Sequence, residues 1–244
     1  MTAIEQIQMA QQAKLVHSDG KPVALKLCPA LAPDRIDALE EELGQPLPDE
    51  LRALLAFCSG FDRCFGGIDF DFTGEGMFFG FERGFPAGLP IAADGCGNFW
   101  VLDITPQTRV AAPVFFACHD APVILYQSAD LASFLSEVFR MYTPPHKSLV
   151  IDVQDDRLFD VWRQNPGVID QATASSSLDP SLRSFAMTLG EEFQIVDLRR
   201  VDPGMGFSWG RYGPRTEVRR HGYERIFAYA RPPRTGFLAK LFGR

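Results

Sequence analysis

The chain has 244 residues, of which 46% are hydrophobic, 12% aromatic and 23% charged. A chain of this length and composition buries a sizeable core, which argues against disorder. The net charge of −7 is uneven, because residues 1–145 carry nine basic and nineteen acidic residues whereas residues 146–244 carry fifteen and twelve. The acidic front attracts basic proteins by long-range steering. The basic end fits a phosphate, an anionic lipid or the acidic part of the same chain.

The first sixty residues favour helices. Residues 1–15 predict a short helix or a loose arm. A clearer helix follows at Pro33–Leu43, because proline is tolerated in a first turn and Gly44 provides a stop. The next helix begins at Leu47–Glu50, where two acidic residues suit the helix dipole, and it ends at Ser59-Gly60.

The next region changes from a helical to an alternating pattern. Ile68–Phe72 alternates apolar and acidic residues, which predicts a half-buried strand with Asp69 and Asp71 on one face. Further strands are predicted at residues 77–81, 99–104, 109–118 and 123–126. Glycine and proline separate these runs at short intervals, which favours antiparallel pairing. Ser128 is the predicted N-cap of a helix that reaches about Tyr142.

Residues 143–146, Thr-Pro-Pro-His, are the best candidate for a linker. Beyond them we predict a strand at 148–153, helices at 156–164 and 179–189, and strands at 193–198, 206–212 and 225–230. These elements either extend the first sheet or form a small unit of their own. The glycine- and aromatic-rich segment 206–214 is distinctive, but the sequence attaches no function to it.

The order of helices, then strands, then a helix is typical of α+β proteins, since a parallel sheet needs alternating strands and helices. We therefore predict an α+β fold with a mostly antiparallel sheet, packed helices and an α+β C-terminal extension. The predicted divisions are an N-terminal arm or helix at 1–19, a central domain at 20–145, and an extension at 146–244 with a basic tail.

No motif for catalysis or metal binding is present. The five cysteines are odd in number and lack Cys-x-x-Cys spacing, and the four histidines lack His-x-x-x-His spacing. Cys118 and His119 are adjacent, so on a strand they would point to opposite faces. We expect no catalytic residue, no metal and no cofactor. The sequence also predicts no signal peptide and no membrane span, which makes the cytoplasm the expected location.

Three segments carry a family resemblance: the two helices around Leu43-Gly44-Gln45-Pro46-Leu47-Pro48-Asp49-Glu50-Leu51, the stretch from Leu89 to Asp103, and the helix at 130–139. Together they resemble the SUKH superfamily, which includes the fungal Knr/Smi-type cell-wall assembly regulators and bacterial immunity proteins. The resemblance implies an α+β domain in which helices pack around a mostly antiparallel sheet. The sequence departs from the family pattern at Cys96, where Gly is common, and in its last hundred residues.

The resemblance also implies protein binding without catalysis. Bacterial members resemble immunity proteins that neutralise a toxin, often a nuclease or a deaminase, and fungal members resemble signalling scaffolds. We expect an immunity protein with a toxin domain as partner. The alternatives are a regulatory scaffold without a toxin partner and, more weakly, an enzyme. No direct nucleic-acid partner is expected, and the oligomeric state stays open.

The candidate partner-binding residues are Asp62, Asp69, Asp71, Glu75, Asp94 and Asn98. The first four form an acidic stripe that would face a basic cleft and mimic phosphates, or else a merely solvated face. The other two belong to a glycine-rich turn, in which Gly takes a positive φ and Asp or Asn binds local amides. The alternative for this turn is an exposed rim of a binding groove.

The C-terminal segment 234–244 has apolar residues at helical spacing between basic ones. It predicts a helix that docks on its own domain, or else one that contacts a partner or a membrane surface.

Overall fold

The computed structural model describes residues 1–62, 65–77, 84–213 and 215–232. In these ranges the chain forms helices and two antiparallel sheets, one of six strands and one of four, so the predicted α+β class is confirmed. The predicted strand at 77–81 falls almost entirely, and the predicted C-terminal helix at 234–244 entirely, outside the described residues.

The helices are α1 (Ala3–Gln12), α2 (Pro33–Leu43), α3 (Asp49–Leu55), α4 (Leu131–Arg140), α5 (Leu149–Ile151), α6 (Leu158–Gln164), α7 (Gln171–Ser175) and α8 (Pro180–Met187), with a π-helical segment, Asp152–Arg157, between α5 and α6. The first sheet contains β1 (Asp69–Phe70), β2 (Gly88–Ala93), β3 (Phe99–Asp103), β4 (Val114–Cys118), β5 (Val123–Ser128) and β8 (Gly206–Phe207), in that spatial order. The second contains β6 (Val168–Asp170), β7 (Phe193–Asp197), β10 (Ile226–Ala230) and β9 (Val218–Arg220), again in spatial order.

The helix α1 is held at its start by side chains and along its length by packing. Thr2 accepts a hydrogen bond from the Glu5 amide, and the Glu5 carboxylate accepts one from the Thr2 amide, which together make a capping box. Ile7 and Ala10 are buried, and the helix packs against α4. The N-terminal residues therefore contribute to the main core.

The helix α4 begins two residues later than predicted. Ser128 is the last residue of β5, and the N-cap is Asp130, whose carboxylate accepts from the Ser133 amide at 2.6 Å. Glu50 accepts from the next free amides, those of Leu131 and Ala132. Ser128 is wrong as a cap because its hydroxyl donates to the Asp130 carbonyl instead. Burial raises the pKa of Glu50 although these amides stabilise its charged form.

Residues 149–153 are helical and Ser148 is their N-cap, so the predicted strand at 148–153 is wrong. The Ser148 side chain caps the Val150 amide at 3.0 Å. Val150, Val153, Leu158 and Val161 are all buried, and their spacing places them on one helical face. The predicted strand at 206–212 is also shorter than expected, because only Gly206 and Phe207 pair, with β5.

The second sheet covers one face of the first sheet, while the other face is covered by helices that include α5 and α6 of the C-terminal extension. Phe115 and Phe85 meet Phe227 of the second sheet, and Phe207 stacks on Phe227 and Tyr229. The strand β8 joins the first sheet, while β6, β7, β9 and β10 form another sheet that shares a hydrophobic core with it.

A buried ion pair joins the two sheets. The Arg220 guanidinium donates to both carboxylate oxygens of Asp103, at 2.7 and 2.9 Å, with side-chain exposures of 3% and 2%. The same guanidinium lies over the ring of Phe227, 5.2 Å from its centroid, and donates to the Gly84 carbonyl. A charge on each side of the junction is thereby neutralised.

The distinctive segment at 206–214 anchors the extension. At Gly206 a Cβ atom would lie 1.9 Å from the Ile124 carbonyl oxygen, so only glycine allows this strand contact. Arg211 donates to the carbonyls of Trp162 and Arg163 and so satisfies the C-terminal end of α6. These contacts give most of the segment a structural role.

Candidate functional site

A groove with a volume of about 740 Å³ opens beside β1, at the edge of the first sheet. Four separate parts of the chain form it. Its lining residues are Cys28, Leu31, Ser59, Phe61, Asp69, Phe70, Asp71, Thr73, Glu75, Gly76, Met77, Ala93, Gly95, Gly97 and Phe99.

One wall of this groove, which we call the acidic groove, is formed by Asp69, Asp71 and Glu75. The alternation predicted for this stretch is confirmed, because Phe70 and Phe72 are buried while Asp69 is exposed and Asp71 is half-buried. Within the described ranges, none of the three carboxylates has a basic partner in an ion pair. No basic side chain in those ranges therefore offsets the charge of this wall.

The acidic wall is fixed by backbone contacts beneath it. Phe61 donates to the Phe70 carbonyl at 3.1 Å, and Phe72 donates to the Ser59 carbonyl at 2.8 Å. Gly60 makes this approach possible, since a Cβ atom there would lie 2.2 Å from the Phe70 oxygen. The rings of Phe61, Phe70 and Phe72 pack together below. The acidic side chains thus project from a rigid base.

The turn after β1 is fixed by Asp71 itself. Its Oδ1 accepts from the Thr73 amide at 2.9 Å and from the Thr73 hydroxyl at 2.6 Å, and the same hydroxyl accepts from the Glu75 amide. This local network holds Glu75 on the same wall as Asp71.

The pKa of the Cys28 thiol depends on its burial and on nearby negative charges. Its pKa is raised by burial first, and then by the negative charges of Asp62 and Asp71. Asp62 lies outside the lining of the groove, and its carboxylate is 3.9 Å from the Lys26 ammonium. Both side chains of that pair are more than half exposed, so it is worth little.

The turn at 94–98 is confirmed as a tight, internally bonded turn. Asp94 Oδ1 accepts from the amides of Cys96 and Asn98, and Asn98 Nδ2 donates to Asp94 Oδ2 at 2.6 Å. Gly95 and Gly97 have φ of +74° and +88° and line the acidic groove. The side chains of Asp94 and Asn98 thus hold the turn rather than line the groove.

Two longer contacts tie this turn to the rest of the molecule. Asn98 Oδ1 accepts from the His119 amide at 2.9 Å, and Gln154 Nε2 of the π-helical segment donates to Asp94 Oδ2 at 3.4 Å. The extension therefore reaches the turn that borders the acidic groove.

The candidate chemistry outside the groove is dispersed. Cys118 is buried while His119 is exposed, on opposite sides as predicted, and burial raises the pKa of the Cys118 thiol. Among the described residues, no cluster of three or more His, Cys, Asp or Glu side chains is arranged to hold a metal ion. In the same ranges, no helix has both the length and the apolar character needed to cross a bilayer.

Residues 30–137 match the model of the SMI1/KNR4 family (SUKH-1). The match runs from the start of α2 through β1–β5 into α4 and includes the whole acidic wall. These residues are similar to the SMI1/KNR4 family. The match confirms the resemblance found in the sequence, and we call residues 30–137 the SUKH-1 domain. Domains of this family are typically protein-binding modules. Searches of curated proteins and of solved structures gave no match.

The SUKH-1 domain contains groove residues that the sequence analysis missed. Cys28 lies just before the matched segment, while Thr73, Met77 and Phe99 lie within it. Thr73 had a local signal, because an Asp two residues before a Thr favours a side-chain-bonded turn. Cys28 and Phe99 had none, since only the folded sheet edge brings them next to the acidic wall.

Proposed function

We propose that this protein is a non-enzymatic binding module whose acidic groove holds a basic protein, and that it serves as an immunity protein against a toxin domain. One observation carries the proposal. Asp69, Asp71 and Glu75 line one wall of a groove in the SUKH-1 domain without ion-pair partners among the described residues. We place this role in the cytoplasm, where a toxin acting on nucleic acid or nucleotides would have to be blocked.

Charge supports the choice of a basic partner. An unpaired carboxylate gains about 1 kcal/mol from a cation 4 Å away even at the dielectric constant of water, and more where water is excluded. Toxins that act on nucleic acid need basic clefts to bind phosphates, so a fixed row of carboxylates competes for the same cations. The aromatic base beneath the acidic wall lowers the ordering cost of such a contact.

A regulatory scaffold of the Knr/Smi type is the second candidate, because the matched family carries that name. It would use the same acidic groove for a partner that is not toxic. The two roles differ only in what the partner does when it is free.

The proposal is tested by measuring whether this protein inhibits the activity of its partner. A partner recovered by affinity purification is identified, purified and assayed for toxic activity, first in a cell that lacks this protein and then in vitro. An immunity protein abolishes that activity at one equivalent, and Asp69→Asn/Asp71→Asn requires a clear excess. Asp155→Asn/Asp156→Asn, on the π-helical segment, is the control with the same charge change and should inhibit like the wild type. A tightly bound partner without toxicity would replace the immunity role with the scaffold role.

A further inference from the structure

We infer that a cavity between the SUKH-1 domain and the extension binds a small organic monocarboxylate, whose carboxylate pairs with the guanidinium of Arg225. The inference goes beyond the proposed function, because no residue that lines this cavity also lines the acidic groove.

The cavity, which we call the junction cavity, has a volume of about 400 Å³ and falls within the size range of small-molecule sites. It is formed by the end of β3 and the loop after it, the end of β5, the residue after β7 and the turn between β9 and β10. The SUKH-1 domain contributes Asp103, Thr105, Gln107, Thr108, Ala111, Pro113, Tyr126 and Ala129, and the extension contributes Arg199, Tyr223, Glu224 and Arg225. A bound molecule would therefore contact both parts of the chain.

Arg225 is, within the described ranges, the one charged residue of this lining without an oppositely charged partner. Its guanidinium lies over the ring of Tyr126, 5.4 Å from the centroid, and donates to the Arg199 carbonyl at 2.9 Å. Both neighbours line the junction cavity, so the charged end of Arg225 lies there and not only its stem. No second hydrogen bond from this guanidinium is formed to a described residue, which leaves most of its N–H donors for a ligand.

The other charged side chains of the lining are already paired. Asp103 is paired with Arg220, and Glu224 with Arg199. Arg199 has two further carboxylate partners outside the lining, so it has no charge to offer a ligand. Arg225 can therefore balance one negative charge, while the surplus of carboxylates around Arg199 disfavours a doubly charged anion. A planar guanidinium matches a single carboxylate in both charge and geometry.

Thr105 supplies a second donor to the junction cavity. The residue is 6% exposed, and its hydroxyl has no hydrogen-bond partner among the described residues. Its side chain lies on the same side as that of Asp103, which faces the extension, because Ile104 between them packs into the core beneath the helices. The Thr108 hydroxyl accepts from the Thr105 amide at 2.8 Å and donates to the Thr105 carbonyl, which fixes this donor in place.

The remaining lining indicates an organic ligand rather than an inorganic anion. Ala111, Pro113 and Ala129 line the cavity on the side of the SUKH-1 domain, and Tyr223, 48% exposed, lines it on the side of the extension. These surfaces would cover the hydrocarbon part of a ligand while Arg225 holds its carboxylate. Chloride or another small anion would leave them exposed to water.

The experiment uses the full chain, labelled with ¹⁵N, and benzoate as the probe. In the wild type we expect saturable shifts of the Arg225 Nε–H signal and of the backbone amides of Thr105 and Thr108. Benzamide has nearly the same shape without the charge, so its dissociation constant should be roughly tenfold higher or more.

The variants test the two donors separately. Arg225→Met removes the guanidinium and should raise the dissociation constant of benzoate roughly tenfold or more, whereas Arg225→Lys keeps the charge and should raise it less. Thr105→Val removes the hydroxyl and should raise it roughly threefold. Arg183→Met is the matched control, because Arg183 is exposed on α8, donates to a backbone carbonyl as Arg225 does, and lies outside the lining. This control should bind benzoate like the wild type.

Three results would overturn the inference. The first is equal binding of benzoate and benzamide by the wild type, or no saturable shift at Arg225 with millimolar benzoate. The second is an Arg225→Met variant that binds benzoate as tightly as the wild type. The third is tighter binding of phenyl phosphate than of benzoate, which would contradict a site for a single negative charge. Should Arg225→Met fail to fold, Thr105→Val and the comparison of benzoate with benzamide in the wild type decide the question.

Discussion

Replacing Arg220 by Met tests how firmly the extension is joined to the SUKH-1 domain. The substitution leaves the Asp103 carboxylate 1% exposed and without its bidentate partner. Removing one member of a buried ion pair costs about 3–5 kcal/mol, mainly because the other charge stays buried and unpaired. Set against a typical total stability of about 5–15 kcal/mol, this is a large fraction. The melting temperature should fall by roughly 6–20 °C for a chain of this size.

The assay is guanidinium denaturation at 25 °C, followed by tryptophan fluorescence, with the free energy of unfolding as the readout. Arg219→Met is the control one residue away. Its guanidinium pairs with Glu217 at the surface with 46% exposure, so the loss should stay below about 1 kcal/mol. Asp103→Leu/Arg220→Met should be more stable than Arg220→Met alone, since no charge is left unpaired. An Arg220→Met variant within 1 kcal/mol of the wild type would refute this reasoning.

Three further predictions concern the groove and the core. Gly60→Ala places a Cβ atom 2.2 Å from the Phe70 oxygen and should lower the free energy of unfolding by at least about 3 kcal/mol. Gly76→Ala, at φ +77° in open space, is the control and should lower it by about 1 kcal/mol. Equal losses of stability in urea denaturation would contradict the close approach at Gly60. Burial raises the pKa of Tyr142 and of Tyr229 to about 12. The unfolded chain releases these protons first, near pH 10, so stability is full below that pH and falls toward pH 12. Tyr142→Phe should lessen the fall, and a flat profile in urea denaturation would contradict the sign. Asp71→Asn removes one of the charges that, after burial and Asp62, raise the pKa of Cys28, so N-ethylmaleimide should modify Cys28 faster at pH 8, as followed by peptide mass spectrometry. Asp155→Asn should leave that rate unchanged, and equal rates in both variants would argue against a negative potential at Cys28.

The periodicity of apolar residues predicted the helices and strands that are buried on one face only. Helix α4 has an apolar stripe that includes Phe134 and Val138, and β1 has a strict alternation around Phe70. Both patterns follow from burial on a single side, which is the condition under which periodicity identifies an element. The acidic wall could be predicted for the same reason, since the residues between buried phenylalanines must face outward.

The remaining features depend on contacts between distant parts of the chain. The run Leu149-Val150-Ile151 is compatible with a strand or a buried helix until its neighbours are known, and here the Ser148 cap and the next apolar pair decide for a helix. The pairing of Arg220 with Asp103 spans 117 positions and has no local signal. The position of Cys28 in the lining of the acidic groove arises in the same way, from tertiary packing.

The most direct measurement of the central claim is the affinity of the identified partner for charge-matched variants. Titration calorimetry at 50 mM and 200 mM salt would compare the wild type with two triple variants. Asp69→Asn/Asp71→Asn/Glu75→Gln neutralises the acidic groove, and Asp152→Asn/Asp155→Asn/Asp156→Asn removes the same charge from the π-helical segment.

The account predicts that the groove variant binds roughly tenfold or more weakly and with a shallower salt dependence, while the other variant binds like the wild type. Equal affinities for all three proteins, or equal losses in both variants, would show that the partner does not use the acidic groove.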